Sequence, residues 1–439
     1  MTSELSPRAR AANLMRMASE TFDVVVIGGG IVGAGIARDA ATRGLRTALV
    51  ERGDFASGTS GRTSRLVHGG LRYLKHMRIG LVRQAVRERD LLLRQAPALV
   101  RPLPFLIPAY RGHGPGKTSI RFALFLYDSL SKDKVLPRRA WLGPEGVLMR
   151  EARLRKEALE GGGIYHDAVT DDARLVLAVI RAAANAGAAV ANHAEALAIL
   201  HEGGRATSAR VRDRIAERIF EVRSRAIVNA TGVWLDRLRS HREGAATARP
   251  TKGIHVLVPR DRVGNRGAVV MSAKRDGRTL FVLPWNDLAL VGTTDTDYVG
   301  DPDRVLPEAD ELGYLLESVN ETFPEAHLTA RDVVSCYASL RPLVRGPSSR
   351  EAESDISRRH EIYEDRDGLL SVLGGKLTTQ RGMAEEVVDR VCVRLGRPLR
   401  CVTRDAPLGP RPDTEAEFRG MGFDDGAALR LASRHEPDA

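Results

Sequence analysis

The first strongly patterned stretch runs from Phe22 to Gly53. Phe22 to Ile27 is apolar and rich in β-branched residues, and glycine bounds it, which predicts a buried strand. Ile36, Ala37, Ala40 and Ala41 then recur at helical spacing until Gly44 stops the pattern. Thr47 to Val50 is a second apolar strand, and Glu51 ends it. Together these make a βαβ unit with an acidic tip. Further along, Leu81 to Gln95 reads as a helix that the proline-rich Pro97 to Pro108 breaks. Ile120 to Leu130 reads as a well-buried helix, and Pro137 to Pro144 as loop. Asp171 and Asp172 cap a helix, Ala173 to Ala186, that Gly187 ends.

Short β segments follow: Ala188 to Ala191, then runs near Ala196 to Leu200, Ser208 to Arg212 and Ile219 to Arg223. The run Ala226 to Ala230 ends in Thr231-Gly232, as though the chain returned to the same parallel sheet. Gly253 to Asp295 alternates like an antiparallel section, followed by a helix, Pro307 to Thr322, and a strand, Asp332 to Leu340. Leu369 to Leu373 is a last strand, and Gly374-Gly375-Lys376 turns. Met383, Val387, Val391 and Leu395 then mark an amphipathic helix beginning near Thr378.

Between the first strand and helix lies Gly28-x-Gly30-x-x-Gly33. Such glycines allow the tight turn, the approach of a pyrophosphate and the close packing of helix on strand. The helix N-terminus offers N–H donors and a partial positive charge to the phosphates. Glu51, about 18 residues beyond Gly33, can accept from ribose hydroxyls. This predicts a bound dinucleotide, and it leaves FAD and NAD both open. The loop from Arg52 to Gly70 is rich in small hydroxyl side chains and suits wrapping a phosphate or a ring. A helix N-terminus after Gly375 would face a flavin's pyrimidine edge favourably.

Charge adds little. The net charge of +11 comes from scattered arginines with few aromatics, which makes nucleic acid the weakest partner and leaves an anionic membrane surface or an anionic substrate open, while an arginine-rich solvated surface explains most of the excess. Three cysteines, Cys336, Cys392 and Cys401, show neither metal nor redox spacing and suit a reducing compartment, and no metal ligand set is expected. No apolar run is long enough to span a bilayer. Residues 1–21 lack a continuous apolar core and read as a disordered leader, with a short basic amphipathic segment as the alternative.

The motifs GGGIVGAGIARDAATRGL, TSRLVHGGLRYL, DDARLVLA, NATGVW, KGIHVLVP, VLPW, VGTTDTDYVGDP, SLRPL and LLSVLGGKLTT stand in one order along the chain. In that order the chain resembles the FAD-dependent, quinone-linked aerobic glycerol-3-phosphate dehydrogenases, from about Asp23 to Leu395. The resemblance implies an α/β protein with a glutathione-reductase-type, Rossmann-like FAD domain interleaved with a substrate domain that carries an antiparallel or mixed sheet. Residues 22–75, 166–250 and 366–396 fall to the FAD domain, and 76–165 with 251–365 to the substrate domain. Residues 397–439 form a short polar segment, a remnant of the helical cap domain expected in the family.

The implied reaction oxidises sn-glycerol 3-phosphate to dihydroxyacetone phosphate, with FAD as cofactor and a membrane quinone as acceptor. The implied location is cytoplasmic, peripheral on the inner face of an anionic membrane, and a homodimer is a candidate assembly. Alternatives on the same fold are a flavoenzyme for 2-hydroxy acids or amines, or a catalytically impaired flavin-binding paralogue.

Residue by residue, the resemblance assigns Gly28, Gly30, Gly33, Glu51, Thr59, Ser60, Ser64, His68, Gly69, Gly70, Gly232, Gly375, Lys376, Leu377 and Thr378 to the cofactor. Arg72, Tyr73, Arg341, Arg358 and Lys376 are expected around the substrate, since a phosphate dianion needs a cationic clamp. His255 is the first choice for the proton acceptor or hydroxyl anchor and His68 the second, with Arg341 in the catalytic group. Arg359 can replace Arg358 in a charged stretch that a surface loop also explains. A satisfied strand histidine is the weaker alternative for His255. Asp171 and Asp172 read as a helix cap, and Thr293 with Asp295 as supports for the active-site loop.

Overall fold

A computed structural model describes residues 5–131, 135–239, 247–344, 360–408 and 414–432. Its first layer is a six-stranded sheet in the order His360–Glu364, Leu370–Gly374, Ile227–Asn229, Val24–Ile27, Thr47–Val50, Ala189–Ala191. Its strands run parallel except at the His360–Glu364 edge. Val24 to Ile27 are all buried, as a parallel strand covered on both faces requires. Helices Ile31–Thr42, Asp172–Asn185 and Gln380–Arg394 share one apolar core with this sheet.

Beside it lies a four-stranded sheet that includes the antiparallel strands Ala194–Glu202, Arg205–Asp213 and Arg218–Ser224. The third layer is a large mixed sheet in which Ala248–Pro259 lies next to one edge, paired antiparallel to both Leu288–Gly292 and Ser335–Val344. That register sets His255 opposite Gly292 on one side and Tyr337 on the other, and Thr251 opposite Arg341.

Several expectations are corrected. The segment expected to be a disordered leader is helical over Pro7–Ser19: Pro7 starts the helix and Ser6 caps it by accepting from the Ala9 N–H. Met17 is fully buried against Phe22 and Val25, and Arg10 pairs with Asp213 at 2.5 Å, so the helix is docked by packing and charge together. Pro97 to Pro108 does follow the end of the helix at Gln95, and the chain then continues as a strand, Val100–Tyr110, that the sequence pattern did not suggest. Pro102, Pro104 and Pro108 share one parity, so their missing N–H groups fall on one edge and the residues between them keep the ladder to Leu159–Thr170. That ladder is continuous, so the large sheet runs through the expected boundary at 165/166.

Ile120 to Leu130 is helical within Lys117–Leu130 but buries only one face. Ile120, Leu124 and Tyr127 point inward, while Phe122 and Phe125 are 67% and 55% exposed. Part of the polar segment after residue 396 is built into the core. Arg38, itself buried, donates to the Ala406 carbonyl, and Gln95 donates to the Thr403 carbonyl at 2.9 Å. Leu408 is buried in the core beneath the six-stranded sheet.

Candidate functional site

Two cavities meet between the six-stranded and the large sheet. The first, of about 460 Å³, opens at the carboxyl ends of Val24–Ile27 and Thr47–Val50 and is lined by Gly28, Gly30, Glu51, Thr59, Ser60, Gly232, Gly375, Lys376 and Leu377. This is where an open parallel sheet binds its ligand. Gly33 lies behind it and not in its wall: a Cβ there would overlap the Gly28 carbonyl, so glycine is what lets the helix seat this close.

The local chemistry fits a dinucleotide. Glu51 accepts from the Gly29 N–H at 2.6 Å and from the Gly53 N–H at 2.8 Å, which fixes its carboxylate at the strand tip where a ribose would lie. Ser60 accepts from the Ile31 N–H at 2.9 Å and so caps the helix that begins there. Trp234 also lines the cleft, under the Arg52 guanidinium at 4.3 Å, and its buried indole N–H has no partner among the described residues. The sequence reading missed both residues; the NATGVW motif was the signal that could have found Trp234.

The second cavity, of about 580 Å³, shares Thr59, Gly375, Lys376 and Leu377 with the first. Ser64, His68, Gly70, Arg72, Tyr73, His255, Arg341 and Thr378 line it as well. Residues that stand far apart in sequence, on a loop, two strands and a helix start, thus surround one space. Gly69 is buried behind this wall and lines neither cavity. Arg358 and Arg359 lie outside the described residues.

The cations are held in defined poses. Arg341 donates to the Asp295 carboxylate at 2.8 Å, and to the Thr293 hydroxyl and Thr294 carbonyl at 2.9 Å each. Thr293 and Asp295 therefore orient an arginine. The Lys376 ammonium sits 3.9 Å from the centre of the Tyr73 ring, and the Arg72 guanidinium 5.1 Å from it.

His255 is buried and bonded through Nε2 to the Ser64 hydroxyl at 2.8 Å, with its ring stacked on Tyr337 at 5.0 Å. Its Nδ1 has no partner among the described residues. Burial, then the nearby cations Arg341 and Arg65, depress its pKa to about 3, so the ring is neutral at physiological pH. The Tyr337 hydroxyl donates to the Thr63 carbonyl, and the Asp172 carboxylate accepts from the Thr63 N–H and hydroxyl, which holds the loop that carries Ser64. Asp172 is thus more than a cap, and Asp171 caps the helix by accepting from the Arg174 N–H.

A dinucleotide cleft opening onto a cationic, partly apolar cavity fits an oxidoreductase, and the chain belongs to the FAD-dependent oxidoreductase family, which matches residues 23–390. Within that family its similarity is to glycerol-3-phosphate dehydrogenases. It is 43% identical over 390 residues to the enzyme of that name from Mycobacterium leprae, covering 88% of this chain and 66% of the relative. It is 35% identical to the aerobic glycerol-3-phosphate dehydrogenase of Staphylococcus haemolyticus, over 98% of this chain and 81% of that one.

The glycerol-3-phosphate dehydrogenase of Bacillus halodurans, solved in complex with FAD, superposes with a TM-score of 0.81 at 32% identity. That match covers 98% of this chain and 79% of the solved one. The chain spans about two thirds of the length of the mycobacterial relatives it matches.

Proposed function

We propose that this protein oxidises sn-glycerol 3-phosphate to dihydroxyacetone phosphate with FAD as cofactor and passes the electrons to a membrane quinone. The observation that carries the reading is the convergence of Arg72, Arg341 and Lys376 on a cavity that shares a wall with the dinucleotide cleft. A phosphate dianion recruits such a set, and the planar guanidinium matches its oxygens two at a time.

Gly28, Gly30, Glu51, Thr59, Ser60 and Gly232 would hold the nucleotide half of FAD, and Gly375 to Thr378 with Ser64, His68 and Gly70 the ring end. Bound there, FAD supplies the hydride acceptor. Arg341, pinned by Asp295 and Thr293, and Arg72 hold the phosphate and orient C2 toward the shared wall. Lys376 stands at that wall and neutralises developing negative charge. Neutral His255 accepts the C2 hydroxyl proton, with Ser64 fixing its ring; His68 is the second candidate.

Contact with an anionic membrane is supported by the helix Lys117–Leu130. Its exposed Phe122 and Phe125 lie beside Arg121 and Arg139, and Phe122 also lines the apolar side of the larger cavity, a direction from which an apolar acceptor could approach. Among the described residues no helix is long and apolar enough to cross a membrane.

The reading is tested by adding sn-glycerol 3-phosphate to the FAD-loaded protein without oxygen. Bleaching of the flavin band is expected. A flavin band that stays unchanged, while amino acids or 2-hydroxy acids bleach it, overturns the reading.

A further inference from the structure

Behind the larger cavity lies a buried charged cluster that the proposed chemistry does not use. The Asp167 carboxylate is 1% exposed, and Arg89 and Asp90 are each 2% exposed. Arg89 donates to Asp167 at 2.6 Å and to Asp90 at 2.7 Å. The Tyr127 hydroxyl donates to Asp167, 2.8 and 2.9 Å from its two oxygens. These residues come from three elements: helices Ile79–Gln95 and Lys117–Leu130, and strand Leu159–Thr170.

Burying such charges is costly, and packed apolar side chains would often serve stability as well. The cluster does make one contact that an apolar core could not. The Gly69 N–H donates to the Tyr127 hydroxyl at 2.9 Å and reaches Asp167 at 3.3 Å. The approach is so close that a Cβ on Gly69 would overlap the Tyr127 hydroxyl. One residue earlier, the His68 N–H donates to the Thr378 hydroxyl at 3.1 Å, on the cofactor side. The turn that carries His68, Arg72 and Tyr73 is therefore held from the front by Thr378 and from behind by Tyr127 and Asp167.

We infer that Tyr127, Asp167 and Arg89 are positioning residues: by gripping the Gly69 amide they set the His68–Tyr73 turn, and through it the pose of Arg72 and of Tyr73 beneath Lys376. Burial pushes the Asp167 pKa up, and Arg89, then the Tyr127 hydroxyl and the Gly69 amide, oppose that rise by donating to its carboxylate. The part concerning substrate rests on the glycerol 3-phosphate reading; the grip on the turn does not.

The test uses the FAD-loaded protein carrying Tyr127→Phe, which removes the hydroxyl and keeps the ring that packs edge-on to Tyr165 at 5.7 Å. Hydrogen–deuterium exchange should speed up about tenfold in the peptide spanning Leu66 to Leu74 and stay unchanged in the helix Gln380–Arg394. In steady state, KM for glycerol 3-phosphate should rise about tenfold with kcat within threefold, and adding Tyr127→Phe to Arg72→Ala should raise KM by much less than tenfold. Unchanged exchange in that peptide overturns the inference. So does a rise spread evenly over all peptides, which marks a merely structural role. If the wild-type protein does not accept glycerol 3-phosphate, the functional reading fails and the exchange comparison alone decides for or against the grip.

Discussion

Ser64 and His255 lie 191 positions apart in sequence and 2.8 Å apart in space, joined by one hydrogen bond. Ser64 belongs to the loop that leaves the six-stranded sheet, His255 to a strand near one edge of the large mixed sheet. Thr59 donates to the Leu340 carbonyl at 2.6 Å and Tyr337 to the Thr63 carbonyl at 2.8 Å, so the same loop is fastened to that sheet at three points. The loop of the first cavity and the strands that line the second therefore hold a common geometry, which the proposed hydride transfer would require.

The protonation of His255 gives a pH prediction. Its native pKa lies near 3, against about 6.5 in an unfolded chain. Above pH ~6.5 both states are neutral and the packing counts in full. As pH falls from there toward 3, only the unfolded chain takes up the proton, so stability is lost. In thermal unfolding, the gap in Tm between wild type and His255→Asn should be widest near pH 8 and shrink toward pH 4.5. A gap independent of pH would show that His255 is not held neutral.

On the proposed function Arg341 is a phosphate ligand, and Asp295, Thr293 and the Thr294 carbonyl hold it in place. In Arg341→Ala, glycerol 3-phosphate binding should weaken by about 2–3 kcal/mol, roughly 30- to 150-fold. FAD content should stay at the wild-type level, as read from the ratio of visible to ultraviolet absorbance. Loss of FAD together with substrate affinity would count against this division of labour.

Gly30 separates cofactor binding from folding. A side chain there enters the cleft and meets within the protein mainly the Ser60 hydroxyl, at 3.0 Å. Gly30→Val should yield a folded protein, with a far-ultraviolet spectrum like that of wild type, that purifies without yellow colour. Full retention of FAD would place the pyrophosphate elsewhere.

The face of Lys117–Leu130 offers a membrane test. Exchanging both Phe122 and Phe125 for Ser removes two aromatic groups beside Arg121 and Arg139. Co-sedimentation with vesicles containing anionic lipid should fall about tenfold, from roughly 1.4 kcal/mol of lost apolar burial. Binding as tight as that of wild type would move the contact to another surface.

Gln95 tests the segment that follows residue 396. Its amide donates to the Thr403 and Arg404 carbonyls, and its own carbonyl accepts from the Leu408 N–H at 2.7 Å. Gln95→Ala leaves the buried Thr403 carbonyl and the partly buried Arg404 carbonyl short of a donor, a cost of about 1–3 kcal/mol. Tm should fall by a few degrees, with flavin binding unchanged at low temperature.

Much of the nucleotide-binding side was legible in sequence because its signals are local. A run such as Val24 to Ile27, the glycines after it and Glu51 at the next strand tip act through neighbours a few residues away, and their spacing is set by backbone geometry. Single motifs likewise brought out Arg72, His255, Arg341 and Lys376. What stayed hidden depends on partners distant in the chain. Composition made the first residues look unstructured, yet Met17 and Arg10 find a pocket and a carboxylate built by strands far along the chain. The prolines of Val100–Tyr110 looked like breakers because only a paired strand can show that their parity is harmless.

The sequence by itself determined the βαβ unit and most of the helices, which follow from local periodicity and turn chemistry, and its family motifs named the candidate cations. The tertiary structure alone decided that Arg341 is pinned by Asp295 and Thr293, that His255 is neutral, and that Tyr127 and Asp167 grip Gly69. Hydrogen bonds and desolvation act over a few ångströms, and only folding brings residues so far apart in the chain within that range.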